Sequence, residues 1–262
     1  YNNSDRMTTN VIEILQEAFV NVCKSDDVCQ AIKEASIEVY ERIGKIMNYY
    51  GSSEWLKESK MEVMPFTKGN SKLPTSTYIF NMGTGLLCAG RALGLCQCSH
   101  CCYAQDAEIL YKEATIQYRL LQAIRWQQLS AIQIANTIIN ASTRSRVHKC
   151  DTVRVNESGE ILFQSDIDKL SVIADLLSEH NIKMYVYSTR QDLDWTEISD
   201  NLCVLGSGWM PPIKKNGKPA GNMFKATYDI PDNAENVCGC DCTQCDVCIH
   251  PTGCIIYEKI RD

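Results

Sequence analysis

Eleven of the fifteen cysteines of this chain fall in two short runs. The first, CAGRALGLCQCSHCCYA, holds Cys88, Cys96, Cys98, Cys101 and Cys102. The second holds Cys238, Cys240, Cys242, Cys245, Cys248 and Cys254. Core thiols would be scattered, so two runs far apart in the chain predict two loops folded together around an inorganic centre. Thiolates are the usual ligands of iron–sulfur clusters and of structural zinc. Cys242-x2-Cys245-x2-Cys248 matches the first three positions of the ferredoxin spacing. The fourth departs from it, because Pro251 precedes Cys254. Cys98-x2-Cys101 and Cys242-x2-Cys245 would serve instead as two zinc knuckles, although their separation is atypical. The consecutive C-x2-C-x2-C favours iron–sulfur over zinc. His100 and His250 lie inside the runs and are expected beside a metal or exposed rather than bound to it.

Disulfides are the rival reading. They suit small secreted domains with too little core to fold alone. A chain of 262 residues has room for a substantial core. The cysteine count is odd, and Cys101 and Cys102 are adjacent, which is awkward for bridging. Reduced, metal-bound thiolates are therefore expected. The net charge of −6 argues against general nucleic-acid binding. No apolar run reaches the roughly 18 residues of a membrane span, and no signal-peptide pattern is visible.

The elements that must position these cysteines can be read in order. Residues 1–60 form a helical N-terminal extension, with Asn10 as a first cap and Glu13 completing a capping box. Ser25-Asp26-Asp27 opens a second helix that Gly51 ends. An α/β domain follows over 61–262, closed by the Cys-rich segment 238–254. KMEVMPF and STYIFNM read as extended. YAQDAEILYKEAT is helical, and a long helix covers about 115–141, with a basic far end at Arg144, Arg146, His148 and Lys149. CDTVRV (150–155), KMYVYST (183–189) and NLCVLGS (201–207) are strands, and MFKATYD (223–229) adds another. Ser165 caps a helix after the first of these three strands, and DLDWTEIS forms a helical turn after the second. The pattern β-α-β-α-β predicts a parallel sheet with right-handed crossovers. The fold class is α/β, with a partial, barrel-like (β/α) sheet.

In such sheets chemistry collects at the carboxyl ends of the strands. Those ends carry Arg154, Glu157 and Ser158, then Tyr187, Thr189 and Arg190, then Ser207. Two arginines at two strand ends could grip a carboxylate or phosphate. They could equally pair with neighbouring carboxylates or cap helices.

Several blocks together carry a resemblance: GNSKLPTSTYIFNM, CAGRALGLCQCSHCCYAQDAE, VRVNESGE, YVYSTR and LGSG. They resemble the bacteriophage gene product 88 family over roughly residues 69–254. That resemblance implies an iron–sulfur protein in the cytoplasm of the infected bacterial host. It implies Cys88, Cys96 and Cys102 as cluster ligands, with at least one of Cys242, Cys245 and Cys248 completing the site. Glu160 stands where the family usually has Asp, and Cys98 and Cys101 are extra. The spacing of Cys88, Cys96 and Cys102 is looser than the C-x3-C-x2-C of radical S-adenosylmethionine enzymes. A four-thiolate [4Fe–4S] cluster for structure or electron transfer therefore ranks above radical chemistry. The rivals are a redox enzyme with a small anionic ligand at the strand ends and a zinc-stabilised protein that binds a host factor. The expected partners are a host redox protein or a small anion.

Overall fold

In a computed structural model of the chain, the described residues are 3–50, 64–97, 102–145, 149–243 and 245–260. Cys98, His100, Cys101, Arg146, His148 and Gly51 lie outside them, as does most of KMEVMPF. The fold is mixed α/β around one open, mostly parallel sheet. Its strands are β1 (Thr67–Lys68), β2 (Thr77–Phe80), β3 (Thr152–Val155), β4 (Lys183–Ser188), β5 (Leu202–Ser207), β6 (Gly221–Thr227), β7 (Asn236–Val237) and β8 (Ile255–Lys259). They lie in the order β1-β2-β3-β4-β5-β6-β8-β7. Among the described strands, only the β1–β2 pair is antiparallel. Neighbours in sequence are neighbours in the sheet from β2 to β6, as in a barrel that does not close.

The strands carry their side chains to two different covers, as their alternation requires. Val153, Val155, Met184, Val186, Leu202 and Val204 enter the main core. There they meet α5 (Ala131–Arg144) and α6 (Gln164–Ser178), through Ile134, Ile138, Leu170 and Ile173. The opposite face presents Tyr185, Tyr187, Cys203 and Leu205. Its cover is the Cys-rich C-terminal segment, through Cys238, Val247, Cys248, Ile249 and Cys254. The cysteine run therefore doubles as a packing layer.

The N-terminal helices α1 (Asn3–Val22) and α2 (Val28–Tyr50) form a hairpin. Val11, Leu15, Ile32, Val39 and Ile43 share a second core with Leu86, Leu87, Ile116, Leu120 and Leu162. The helical hairpin thus packs on the rest of the chain through a shared apolar core. The Asp27 carboxylate caps α2 by accepting from the Gln30 N–H at 3.0 Å.

Some expected elements differ. α1 already runs at Asn3, so Asn10 lies inside it and caps nothing. The long helix at 115–141 is two helices, α4 (Tyr103–Gln128) and α5, with α4 absorbing YAQDAEILYKEAT. Ser130 breaks them. Its hydroxyl accepts from Gln133 N at 3.3 Å, and the Gln133 side chain accepts from Ser130 N at 2.9 Å, which is the reciprocal bonding of a capping box. The Lys169 ammonium donates to the carbonyls of Trp126 and Leu129 at the end of α4. α6 begins at Gln164 rather than after Ser165, because Asp166 accepts from the Leu162 and Phe163 N–H groups. DLDWTEIS forms turns, not a helix. Trp195 there is buried and donates to Arg190 O at 2.8 Å.

Candidate metal centre

The first cysteine run crosses the carboxyl end of the sheet. Cys88 precedes the short helix α3 (Ala89–Ala92). Leu95 and Cys96 then fold back, both donating to Gly90 O, and Gln97 donates to Gly208 O beyond β5 at 3.1 Å. Gly90 is pressed so closely on Thr189 that a Cβ would stand 2.3 Å from its hydroxyl oxygen. Under this loop lies Glu160, fully buried. One of its carboxylate oxygens accepts from Ile161 N at 2.9 Å and Ser188 Oγ at 2.8 Å. The other accepts from Thr189 N at 2.7 Å and Thr189 Oγ1 at 2.8 Å. Burial still raises its pKa against those four donors.

Cys88 shares this setting. Burial pushes its thiol well above the usual thiol range, and Glu160 and Cys96 push the same way. The backbone N–H groups of Gly90 and Arg91 work in the other direction. An amide-cradled sulfur beside a second thiol is a donor set that a cationic metal centre would complete, reversing the balance set by Glu160.

A second buried carboxylate fixes the approach to this loop. Glu108 of α4 accepts from Gly85 N at 2.7 Å, Leu86 N at 3.0 Å and Ser158 Oγ at 3.2 Å. It pairs with Arg119 at 2.6 Å, both side chains being buried. Gly159 follows with φ 77°, and a Cβ there would stand 2.3 Å from Gly83 N. The two glycines let the β2 and β3 exit loops touch backbone to backbone.

The C-terminal run is gathered on the Tyr185–Tyr187 face. Cys248 lies 3.9 Å from the Tyr187 hydroxyl. Burial raises its pKa to about 12, the Tyr187 hydrogen bond opposes this, and nearby Cys238, Cys242 and Cys245 reinforce it. Cys242 is also raised by burial, with Arg154 and Lys72 acting against it. One residue pins the segment. Asn222 of β6, fully buried, accepts through its side-chain oxygen from Thr252 N, Thr252 Oγ1, Gly253 N and Cys254 N. Its amide donates to Val247 O and His250 O.

Between the two runs stands Arg154. Its guanidinium lies 4.7 Å over the Tyr187 ring and donates to the Tyr103 hydroxyl at 3.2 Å. That hydroxyl donates to Glu157 O at 2.7 Å. Tyr103 follows Cys102, which precedes α4. Cys102 thus leads through Tyr103 to Arg154, Tyr187 and the second run. The Arg154 Nε is buried with no hydrogen-bond partner among the described residues. Burial opposes its charge, and Tyr103, Tyr187, Tyr185 and Glu157 outweigh that, so it stays cationic.

The remaining strand-end residues are engaged within the fold. Arg190 makes a two-pronged pair with Asp192, both contacts at 2.8 Å, and donates to Ile161 O and Leu162 O. Ser158 bonds Asn81 and Glu108. Thr189 holds Glu160, and Glu157 accepts from Asn70 at 2.6 Å. Ser207 sits half-buried at the end of β5. Among the described residues of this set, Arg154 and Tyr187 face thiols of the second run, while Arg190 donates to the Cys29 thiol at 3.4 Å. A cleft of about 140 Å³ between α2 and α4, lined by Lys33, Ser36, Met82 and Gln127, has no cysteine in its wall.

The donor chemistry fits a thiolate metal centre. None of the described cysteines is in a disulfide. Cys245 is close enough to raise the proton affinity of Cys242, and both raise that of Cys248, the penalty that a bound cation relieves. Among the described residues, one group has its donor atoms all within 4.8 Å of one another: Cys238, Cys240 and Glu258. A four-iron cluster spaces its thiolates more widely than a single ion does, so this spacing suits one ion. Glu108, Asn222, Tyr103 and Glu258 escape sequence reading. Only Glu108 carried a signal there, as the lone acid among the apolar positions of AEIL.

No curated protein and no solved structure matches the chain. A family model described as Gene product 88 matches residues 56–210, more than half of it. The chain belongs to the Gene product 88 family of bacteriophage proteins.

Proposed function

We propose that this phage protein carries a [4Fe–4S] cluster and serves in electron transfer or redox chemistry in the infected host cytoplasm. Cys242, Cys245 and Cys248 supply three thiolates. The fourth comes from the first run, where Cys102 is the cysteine that leads through Tyr103 to Arg154. Arg154 and the Tyr187 ring then lie beside the centre, where a fixed cation offsets the net negative charge of a thiolate-bound cluster. One observation carries the reading: in the C-x2-C-x2-C stretch Cys242 and Cys248 are raised in pKa by burial, Cys248 packs on the Tyr185–Tyr187 face, and Cys245 lies near enough to raise both thiols further. The exposed C-terminal side would meet a host redox protein.

The test is anaerobic purification followed by an electron paramagnetic resonance spectrum of the reduced protein. The expected result is a signal that Cys248→Ser and Cys242→Ser abolish. A silent, colourless protein that remains so after reconstitution with iron and sulfide would rule the reading out. A second reading is favoured by the unpartnered buried Nε of Arg154. In it, a small anion binds at the strand ends beside the cluster, and Arg154→Gln weakens its binding without changing iron content.

A further inference from the structure

We infer that the C-terminal run holds a second, mononuclear site: a zinc-class divalent cation bound by Cys238, Cys240 and Glu258. The site does not depend on the cluster proposed above, because it uses none of the ligands assigned there. The donor atoms of these three residues already lie within 4.8 Å of one another. Cys240 Sγ is 3.2 Å from a Glu258 oxygen.

Two features of the backbone place them. β7 pairs with β8 in parallel, with Asn236 opposite Ile256 and Val237 opposite Tyr257. Continuing that register sets Cys238 opposite Glu258, and the Cys238 N–H indeed donates to Tyr257 O at 2.7 Å. The chain then turns back at Cys240, whose φ is 58°. Left-handed backbone is rare for a residue with a side chain, and here it swings the second thiol onto the first and onto Glu258. Lys72 pairs with Glu258 at 3.2 Å, a contact that orients the carboxylate and steadies the negative charge of two thiolates.

The ligand types select the ion. Two soft thiolates with one carboxylate suit zinc or its spectroscopic substitute cobalt, and do not suit magnesium or calcium, which take oxygen donors. All three residues are half-buried, so solvent can supply the fourth tetrahedral position.

The experiment uses the full chain, purified anaerobically, with zinc, iron and sulfide measured together before and after incubation with equimolar Zn2+. A Co2+ titration followed by absorbance accompanies it. The wild type should hold one zinc per chain beyond any iron and show thiolate-to-cobalt absorption. Cys240→Ser should lose that zinc with its iron and sulfide unchanged. Glu258→Gln, which keeps the size of a half-buried β8 side chain and so preserves the fold, should bind cobalt more than about tenfold more weakly. The proposal is overturned if Glu258→Gln binds zinc and cobalt as the wild type does. It is also overturned if the wild type takes up no zinc, or if thiol counting finds Cys238 and Cys240 joined in a disulfide. An absence of iron in all proteins would defeat the cluster reading alone, since the zinc count rests on Cys238, Cys240 and Glu258.

Discussion

The two cysteine runs are held in place by different means. The run that begins at Cys88 rests on buried carboxylates: Glu160 holds the end of β4, where Gly90 presses on Thr189, and Glu108 with Arg119 ties the approach at Gly85 and Leu86 to α4. It lies inside the stretch matched by the family model. The run at 238–254 lies beyond that stretch. It is held by one buried amide, Asn222, by a short ladder between β7 and β8, and by its own apolar contacts with the sheet. A loop fixed by buried charge keeps its shape whatever it binds. A loop with so few buried polar ties would gain much of its order from the metal proposed there.

That contrast can be broken at several points. The largest effect is expected at Glu108. Glu108→Ala leaves the buried Arg119 with only the Glu157 carboxylate, 3.9 Å away, at a cost of about 3–5 kcal/mol, and should lower the denaturant midpoint of the whole domain. Asn222→Ala removes six hydrogen bonds from one side chain and should cost about 2–3 kcal/mol. Its signature is local: alkylation of Cys248 and Cys254 accelerates while Cys88 stays protected. Equal acceleration at Cys88 would erase the proposed difference between the runs.

Chelation should act in the same direction. Stripping metal should raise amide exchange across 238–254 and leave 83–97 nearly unchanged. The smallest effect concerns Asp192. Its hydrogen bonds to Arg190 hold its pKa below the ordinary carboxylate value. The stability this confers is complete above about pH 4, the unfolded value, and is lost as pH falls through the lowered folded value. Because Asp192 is 43% exposed, the loss should stay under about 1 kcal/mol. Asp192→Asn should flatten the acid limb of a stability-against-pH curve by that amount.

The sheet was legible where strands are short, continuous apolar runs. CDTVRV, KMYVYST and NLCVLGS are buried on both faces and stand within a residue or two of β3, β4 and β5. The break at Ser130 was hidden because apolar positions on both sides keep helical spacing, so the stripe reads as one helix. The Ser130-x-x-Gln133 pair was its only local mark. β7 and β8 escaped notice because Asn236–Val237 is two residues long and Ile255–Lys259 ends in charge. The cysteine grouping was visible from the positions of the cysteines alone. The residues that place the cysteines were not. Asn222 meets Thr252 thirty residues away, and Glu108 meets Ser158 fifty residues away. No local pattern records a polar side chain whose partners come from so far along the chain. Arg190 looked like a ligand-gripping cation, and its partner Asp192, two residues on, was the clue to its role as a tie.

The most direct test of the central claim is the iron, acid-labile sulfide and zinc content of anaerobically purified protein, wild type beside Cys245→Ser. A thiolate cluster at the second run predicts brown protein with iron and sulfide in equal amounts, lost in the variant. Colourless protein containing zinc alone, unchanged by Cys245→Ser, would contradict it.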